Sequence, residues 1–397
     1  MVVLVLFSES HITQRHMHRA LAMSFLMFTG TLVAQEPAPR KLTRIASFEA
    51  DFASISRIRE LPDGRILVSD PKEPTLYLID LVARNRIRLG RQGAGPGEYI
   101  RPGGLFAGAG DSTFILDRGQ ARYIVVDPTG RIIESRSIRT GGGRSFTDDD
   151  VDLQQVDGRG RIYADSRGGP GGLFAMARTG RRTGGTIDSM PLMRLDLATR
   201  TYADTLGWLR IPSMKVSGAN GMVLPTSTMF APADDWGVAP DGRVAFVRAE
   251  PYRVQWLELD GRVTNGPVVE TLRLRVTEED KREVREAIGD SSGMVANKSN
   301  RTTQARAMKL PEMTFAEFKP PFELHGVSLS PDGRVWVRRV TPAGKPDVIY
   351  DVFDQKGVRV DRVQLPTRHY VVGFGRRALY AVELDDDGVP HIHKFAL

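Results

Sequence analysis

Along most of the chain, apolar and polar residues alternate with a period of two. The runs are short and bounded by Gly, Asp and Pro, which predicts β-strands joined by tight turns. One turn-and-strand unit recurs. It reads PDGRILVSD at 62–70, PDGRVAFVR at 240–248 and PDGRVWVRR at 331–339, with looser copies GDSTFILD at 110–117, GRGRIYAD at 158–165 and GRRALYAVE at 375–383. The turn glycine falls at Gly64, Gly110, Gly160, Gly242, Gly333 and Gly375. After most copies comes a second alternating strand, such as LYLID at 76–80, LMRLD at 192–196 and VIYDVF at 348–353, and often a third, such as RIRLG at 86–90 and RVDRVQL at 359–365. Four short strands in a unit of about 45 residues is the arithmetic of a propeller blade. A blade cannot bury both of its faces alone, but stacking against two neighbours in a ring does so.

The six copies predict an all-β fold, a six-bladed β-propeller over residues 42–397, preceded by a linker at 35–41. The last unit ends at HIHKFAL (391–397), one strand short. LTRIASF at 42–48 is a strand with no partner in its own unit. It is expected to complete the last blade as its outer strand and so remove an open edge.

The segment GRQGAGPGEYIRPGGL (90–105) resembles the inter-blade linker of NHL-repeat propellers, in which a Gly-rich stretch with Gly-Pro-Gly-Glu and an aromatic leads through Pro into the next inner strand. ILVSDPKEPTLYLID (66–80) and FILDRGQARYIVVD (114–127) resemble the core of the same repeat. The resemblance covers roughly residues 60–140 and implies the fold. Its functional implication is broad, since NHL-like propellers include scaffolds, binding proteins, lyases and lactonases.

Two intervals between turn glycines are long, with room for insertions at 168–230 and 277–322 or for a degenerate seventh blade. In the second, TEEDKREVREAIGD (277–290) has Thr277 three residues before Asp280, a capping-box pattern, and acidic residues in its first turn. It predicts a helix of three turns, ending at Gly289, between blades four and five. MTFAEFKPPF (313–322) is read as starting with a short helix stopped by Pro320 and Pro321. The Gly/Arg-rich stretch at 168–185 is read as a surface loop, lacking a phosphate-loop motif. The insertions are where a lid or a partner-binding arm would lie.

Residues 1–34 have the charged, apolar and small-residue pattern of a secretory signal peptide: His18 and Arg19, an apolar run from Ala20 to Val33, then Ala34. Met17 is an alternative start. The expected location is the periplasm or the cell exterior, with no stable membrane anchor after cleavage.

Composition narrows the chemistry. The chain has no cysteine, which removes thiolate nucleophiles, Cys-ligated zinc and disulfides. The net charge of +7 comes from basic residues, mostly Arg, spread along the chain. No basic cluster is interleaved with aromatics, so nucleic acid is not an expected partner. No GxSxG or HExxH motif occurs.

The candidate ligand-binding residues stand at equivalent places at the end of each unit's second strand: Asp70, Asp117, Asp165, Arg248, Arg338 and Glu383. His325, leading into the inner strand of blade five, joins them. The asymmetry-free alternative for the aspartates is turn capping, in which a carboxylate accepts backbone N–H groups as the chain reverses. His391 and His393 alternate on a strand and share one face, a spacing that can chelate a metal; on an outer strand such a pair more often faces solvent. No cofactor is predicted, although a carboxylate-built site would take calcium. Two functions remain open. One is an exported binding or scaffolding propeller for an unknown protein or small polar ligand. The other is a metal-dependent hydrolase or lyase of the lactonase type, with its site at the channel mouth.

Overall fold

The computed structural model describes residues 36, 38–138, 152–165, 180–183, 186–196, 201–215, 228–292, 313–345 and 347–397. The expected signal peptide, most of the Gly/Arg-rich stretch and residues 293–312 lie outside the described residues.

The chain forms a six-bladed β-propeller. Blade 1 is Arg57–Glu60, Ile66–Asp70, Thr75–Asp80 and Asn85–Leu89, and blade 2 is Pro102–Ala107, Thr113–Asp117, Arg122–Val126 and Ile132–Ser137. Blade 3 is Asp152–Val156, Ile162–Asp165, Thr186–Asp196 and Thr201–Lys215. Blade 4 is Asp235–Val238, Val244–Ala249, Tyr252–Leu257 and Val263–Asn265. Blade 5 is Phe322–Leu329, Val335–Arg339, Val348–Phe353 and Arg359–Leu365. Blade 6 takes His369–Phe374, Ala378–Leu384 and Pro390–Ala396 from the C-terminus and Arg44–Phe48 from the N-terminal end. Successive strands pair antiparallel throughout.

The closing strand falls where the sequence places it. Arg44 lies opposite Phe395 and Phe48 opposite Ile392. Ahead of it, Arg40–Lys41 adds a parallel edge to blade 5. The N-terminal segment therefore ties two blades together.

Burial follows from position within the blade. The second strands Ile66–Asp70 and Thr113–Asp117 are buried at every residue, because neighbouring blades cover both faces. The outermost strand Asn85–Leu89 is almost wholly exposed. Six apolar clusters are found among the described residues, one at each blade-to-blade interface. The cluster between blades 6 and 1 joins Phe48, Val372 and Tyr380 to Ile58, Ile66 and Val68, so the ring closes through a core like the others. Tyr99, from the Gly-rich linker, is fully buried between blades 1 and 2, where its hydroxyl donates to Leu89 O at 2.9 Å and accepts from Leu76 N–H at 3.2 Å.

The recurring Asp-Gly-Arg turn has a mechanical use. Gly64 sits at φ 89°, a left-handed conformation that side chains disfavour. The Asp63 carboxylate accepts the Arg65 N–H at 3.0 Å, and Arg65 reaches into blade 2 to donate to Thr129 O at 2.9 Å. Arg243 does the same between blades 4 and 5, donating to Gln355 Oε1 at 3.2 Å. Gly375, aligned with these turns by sequence, is not left-handed. A Cβ there would stand 2.3 Å from the Glu60 carboxylate, so this glycine is required by the close approach of blade 1.

The long intervals hold no seventh blade among the described residues. The first is filled by the outer hairpin of blade 3, Thr186–Asp196 with Thr201–Lys215, which runs far past the blade; its Leu209, Ile211 and Met214 pack against Trp236 and Phe246 of blade 4. The second contains one α-helix, Glu278–Ser292. Its capping box is reciprocal: Asp280 Oδ2 accepts the Thr277 N–H at 2.8 Å, and Thr277 Oγ1 accepts the Asp280 N–H at 3.2 Å. The helix runs three residues past Gly289, since one glycine costs only about 1 kcal/mol in a helix. Asp280 and Lys319 form a buried ion pair that clasps it to the ring. The helix expected near residue 313 is instead an extended pair, Thr314–Phe315 parallel to Thr228–Met229. The residue before a proline avoids helical angles, and extension lets Phe315 meet Phe230 at 6.4 Å between ring centroids. No helix among the described residues is long and apolar enough to cross a membrane.

Candidate functional site

The second-strand ends converge on one face of the ring, yet their side chains do different jobs. Asp70 is fully buried and accepts from Ala53 N–H at 2.8 Å, Ser54 Oγ at 2.7 Å, Lys72 N–H at 3.1 Å and Glu73 N–H at 3.2 Å. Asp117 accepts from Arg101 N–H at 2.8 Å and from Ile100 N–H, and pairs with Arg122 at 3.2 Å. Asp165 accepts the Trp236 indole N–H of blade 4 at 2.5 Å. These carboxylates fix the segment entering an inner strand to the turn beside it, or one blade to the next.

Where Arg replaces Asp, the polarity of the tie reverses. Arg248 donates to Trp208 O at 2.7 Å and pairs with Asp234 at 2.7 Å; Asp234 in turn accepts Ala249 N–H at 3.1 Å. In blade 5 the tie comes from Arg339, which donates to Pro321 O at 2.7 Å. Arg338, one residue earlier, faces the other way and pairs with Glu323 at 3.0 Å. Glu383 lies on blade 6 beside His369 and His393. The fold thus does not gather the seven candidates. His325 alone among them lines the channel mouth.

That mouth is a cavity of about 500 Å³, lined by Ser56, Arg57, Arg101, Gly103, Arg118, Gln155, Asp235 and His325 among others, within the range usual for small-ligand sites. It opens at the start of the inner strands of blades 1 to 5. A second, narrower cavity of about 140 Å³ continues along the channel and shares Arg57, Gln155 and Val327 with the first. Its wall includes inner-strand residues from all six blades.

Three features give the mouth its chemistry. Arg57 is half-buried, and its guanidinium has no hydrogen bond or ion pair to any described residue. Burial pushes its pKa below the usual range, and no neighbouring charge offsets the shift. Arg101 and Arg118 stand exposed on the rim, beside Gly103 and Gly104 in the same cavity wall. His325 sits at φ 62° inside an irregularity of the inner strand of blade 5, where the register jumps between Phe322 and Val327. A non-glycine residue held there is uncommon, and such strain collects at functional positions. Asp235 is buried and accepts its neighbour's Trp236 N–H at 2.9 Å. Gln155 is committed to blade 4, accepting Val238 N–H at 2.7 Å.

The sequence singled out His325, which lines this cavity, but none of the arginines beside it. Arg57 looks like any polar residue of an alternating strand, since its meaning depends on which neighbouring side chains fail to reach it.

No family model matches the chain, and no curated protein matches it. Among solved structures it is similar to a Bacteroides fragilis protein described as exported (12% identity over 90% of this chain and 94% of that one, TM-score 0.44) and to a member of the DUF4221 family from Bacteroides vulgatus (11%, 90% and 94%, TM-score 0.43). It is also similar to regucalcin, a calcium-binding protein from Agrobacterium tumefaciens (14%, 90% and 97%, TM-score 0.40). At such identities a shared ring says nothing of ligand or chemistry.

Proposed function

We propose that the chain is an exported binding propeller that receives a small anion, of the carboxylate or phosphate class, at the channel mouth. The observation that carries this reading is Arg57. An unpaired, desolvated guanidinium is costly, and its five donors match a carboxylate or phosphate. Arg101 and Arg118 on the rim add positive potential that would attract such a ligand, and His325 offers a ring nitrogen as a hydrogen-bonding group. Export rests on the N-terminal sequence pattern.

The metal-enzyme reading is less supported. It needs carboxylates converging on the channel, whereas Asp70 and Asp117 are buried and committed to backbone N–H groups, the Ser54 hydroxyl and the Arg122 guanidinium. Calcium there would have to displace bonds that hold the blades.

The test is calorimetric titration of the chain with inorganic phosphate and a panel of small mono- and dicarboxylates. Binding of one anion per chain is expected, weakened about 10- to 100-fold by Arg57→Gln, the range for a hydrogen bond to a charged group. Equal binding by the wild type and Arg57→Gln, or no anion binding at all, would refute the proposal.

A further inference from the structure

Blade 6 carries a second cluster, away from the channel mouth. His369 begins the inner strand, Glu383 lies directly opposite it on the second strand, and His393 comes from the third. The two imidazoles are buried, and the Glu383 side chain is 38% exposed. His369 Nε2 lies 2.7 Å from His393 Nδ1. Glu383 Oε2 is 3.8 Å from the former and 3.6 Å from the latter.

We propose that His369, Glu383 and His393 bind one zinc-class divalent cation. The circle through three atoms at those separations has a radius of about 2.0 Å, against 2.0–2.2 Å for Zn–N and Zn–O bonds. An ion at its centre would meet all three donors at bonding distance without backbone movement. The donor set, two imidazoles and one carboxylate, suits zinc better than calcium or magnesium, which prefer all-oxygen sites.

The surroundings prepare the ligands. His369 Nδ1 lies 2.9 Å from Thr367 O. A proton on Nδ1 donates to that carbonyl and leaves the Nε2 lone pair facing the cluster, the usual outer support of a metal-binding histidine. All three residues stand on strands of one sheet, so their spacing is fixed by strand pairing. The exposed side of Glu383 leaves room for water as a further ligand.

One neighbour opposes the ion. Arg44, on the closing strand, places Nη1 3.5 Å from His393 Nε2. Metal on Nδ1 puts a proton on Nε2, which then faces a guanidinium that can only donate. Arg44 must turn outward, so binding is linked to the strand that closes the ring. His391 takes no part, because it pairs with Asp385 at 3.0 Å. The two alternating histidines therefore divide. His393 is buried rather than solvent-facing, and its partner is His369, not His391.

The experiment uses the full chain after chelator treatment, with Zn²⁺ followed by calorimetry and Co²⁺ by visible absorption. The wild type is expected to take one equivalent and to give the visible bands of a cobalt site of low coordination number. Glu383→Gln, at a partly exposed position that tolerates an amide, should weaken binding at least 10-fold, as should His369→Gln. Arg44→Gln should tighten it, since its amide oxygen can accept the Nε2 proton. The inference is overturned if the wild type takes up no stoichiometric cobalt, or if Glu383→Gln and His369→Gln both bind as the wild type does.

Discussion

Asp351 offers a demanding test of how blade 5 is held. Its side chain is 0% exposed and faces three arginines. Oδ2 accepts from Arg339 Nη1 at 2.9 Å and from the Tyr252 hydroxyl of blade 4 at 3.0 Å. Oδ1 stands 3.3 Å from Arg362 Nε and 3.6 Å from Arg359 Nη1. Asp351→Asn keeps the shape and one acceptor but removes the charge that all three guanidiniums share. A pair at about 4 Å between charge centres is worth about 4 kcal/mol at an effective dielectric of 20. Removing one partner of a buried pair costs about 3–5 kcal/mol in practice. Arg359 and Arg362, 19% and 12% exposed, recover some hydration, so the lower end of that range is expected. Asp361→Asn in the same blade is the control. Its partner Arg40 lies at 2.8 Å, but the two side chains are 29% and 50% exposed, and such surface pairs contribute about 0–1 kcal/mol. Urea unfolding followed by tryptophan fluorescence measures both. If Asp351→Asn lies within about 1 kcal/mol of Asp361→Asn, the argument that burial sets the value of these pairs fails.

Three further outcomes follow from the structure. Gly373→Ala would place a Cβ 1.9 Å from the Ile58 backbone oxygen of the neighbouring blade; because the clash is with backbone, a loss of about 3 kcal/mol or more in the same urea assay is expected. Asp280→Ala removes the carboxylate half of the capping box and the acidic partner of Lys319; faster proteolysis within 278–292 should appear while the blades keep their far-ultraviolet signature. Burial first, and then a neighbouring carboxylate, raise the hydroxyl pKa of Tyr163 beside Asp157, Tyr252 beside Asp351 and Tyr380 beside Glu60. These phenols stay neutral in the fold while the unfolded chain ionises near pH 10. Stability should therefore be intact below that pH and fall above it, and ultraviolet titration should show three tyrosines that ionise only on unfolding. Ionisation of all nine tyrosines in the still-folded protein would refute this.

The repeat made the ring legible before any coordinates. Period-two alternation, the Asp-Gly-Arg turn and one unpaired strand at 42–48 were enough for six blades and their closure, because these are local or pairwise properties of the chain. The Thr277–Asp280 cap is local in the same sense, and so it too could be read, though not the helix end.

The tertiary structure decided what the polar residues do. Asp70 and Asp117 look like funnel ligands or turn caps until the incoming N–H groups of residues 53 and 100–101 are placed beside them. Arg338 and Arg339 are adjacent in sequence, yet strand register sends only Arg339 to the Pro321 carbonyl. Arg57 acquires its meaning from described neighbours that do not reach it. His393 finds His369, 24 residues away, because blade 6 sets their two strands on either side of a third. A charged or imidazole group is defined by what lies within a few ångströms of it, and in a ring those neighbours come from other strands and other blades. The sequence determined the scaffold; the pairing of its strands and blades decided which side chains meet at the channel mouth and in the blade 6 cluster.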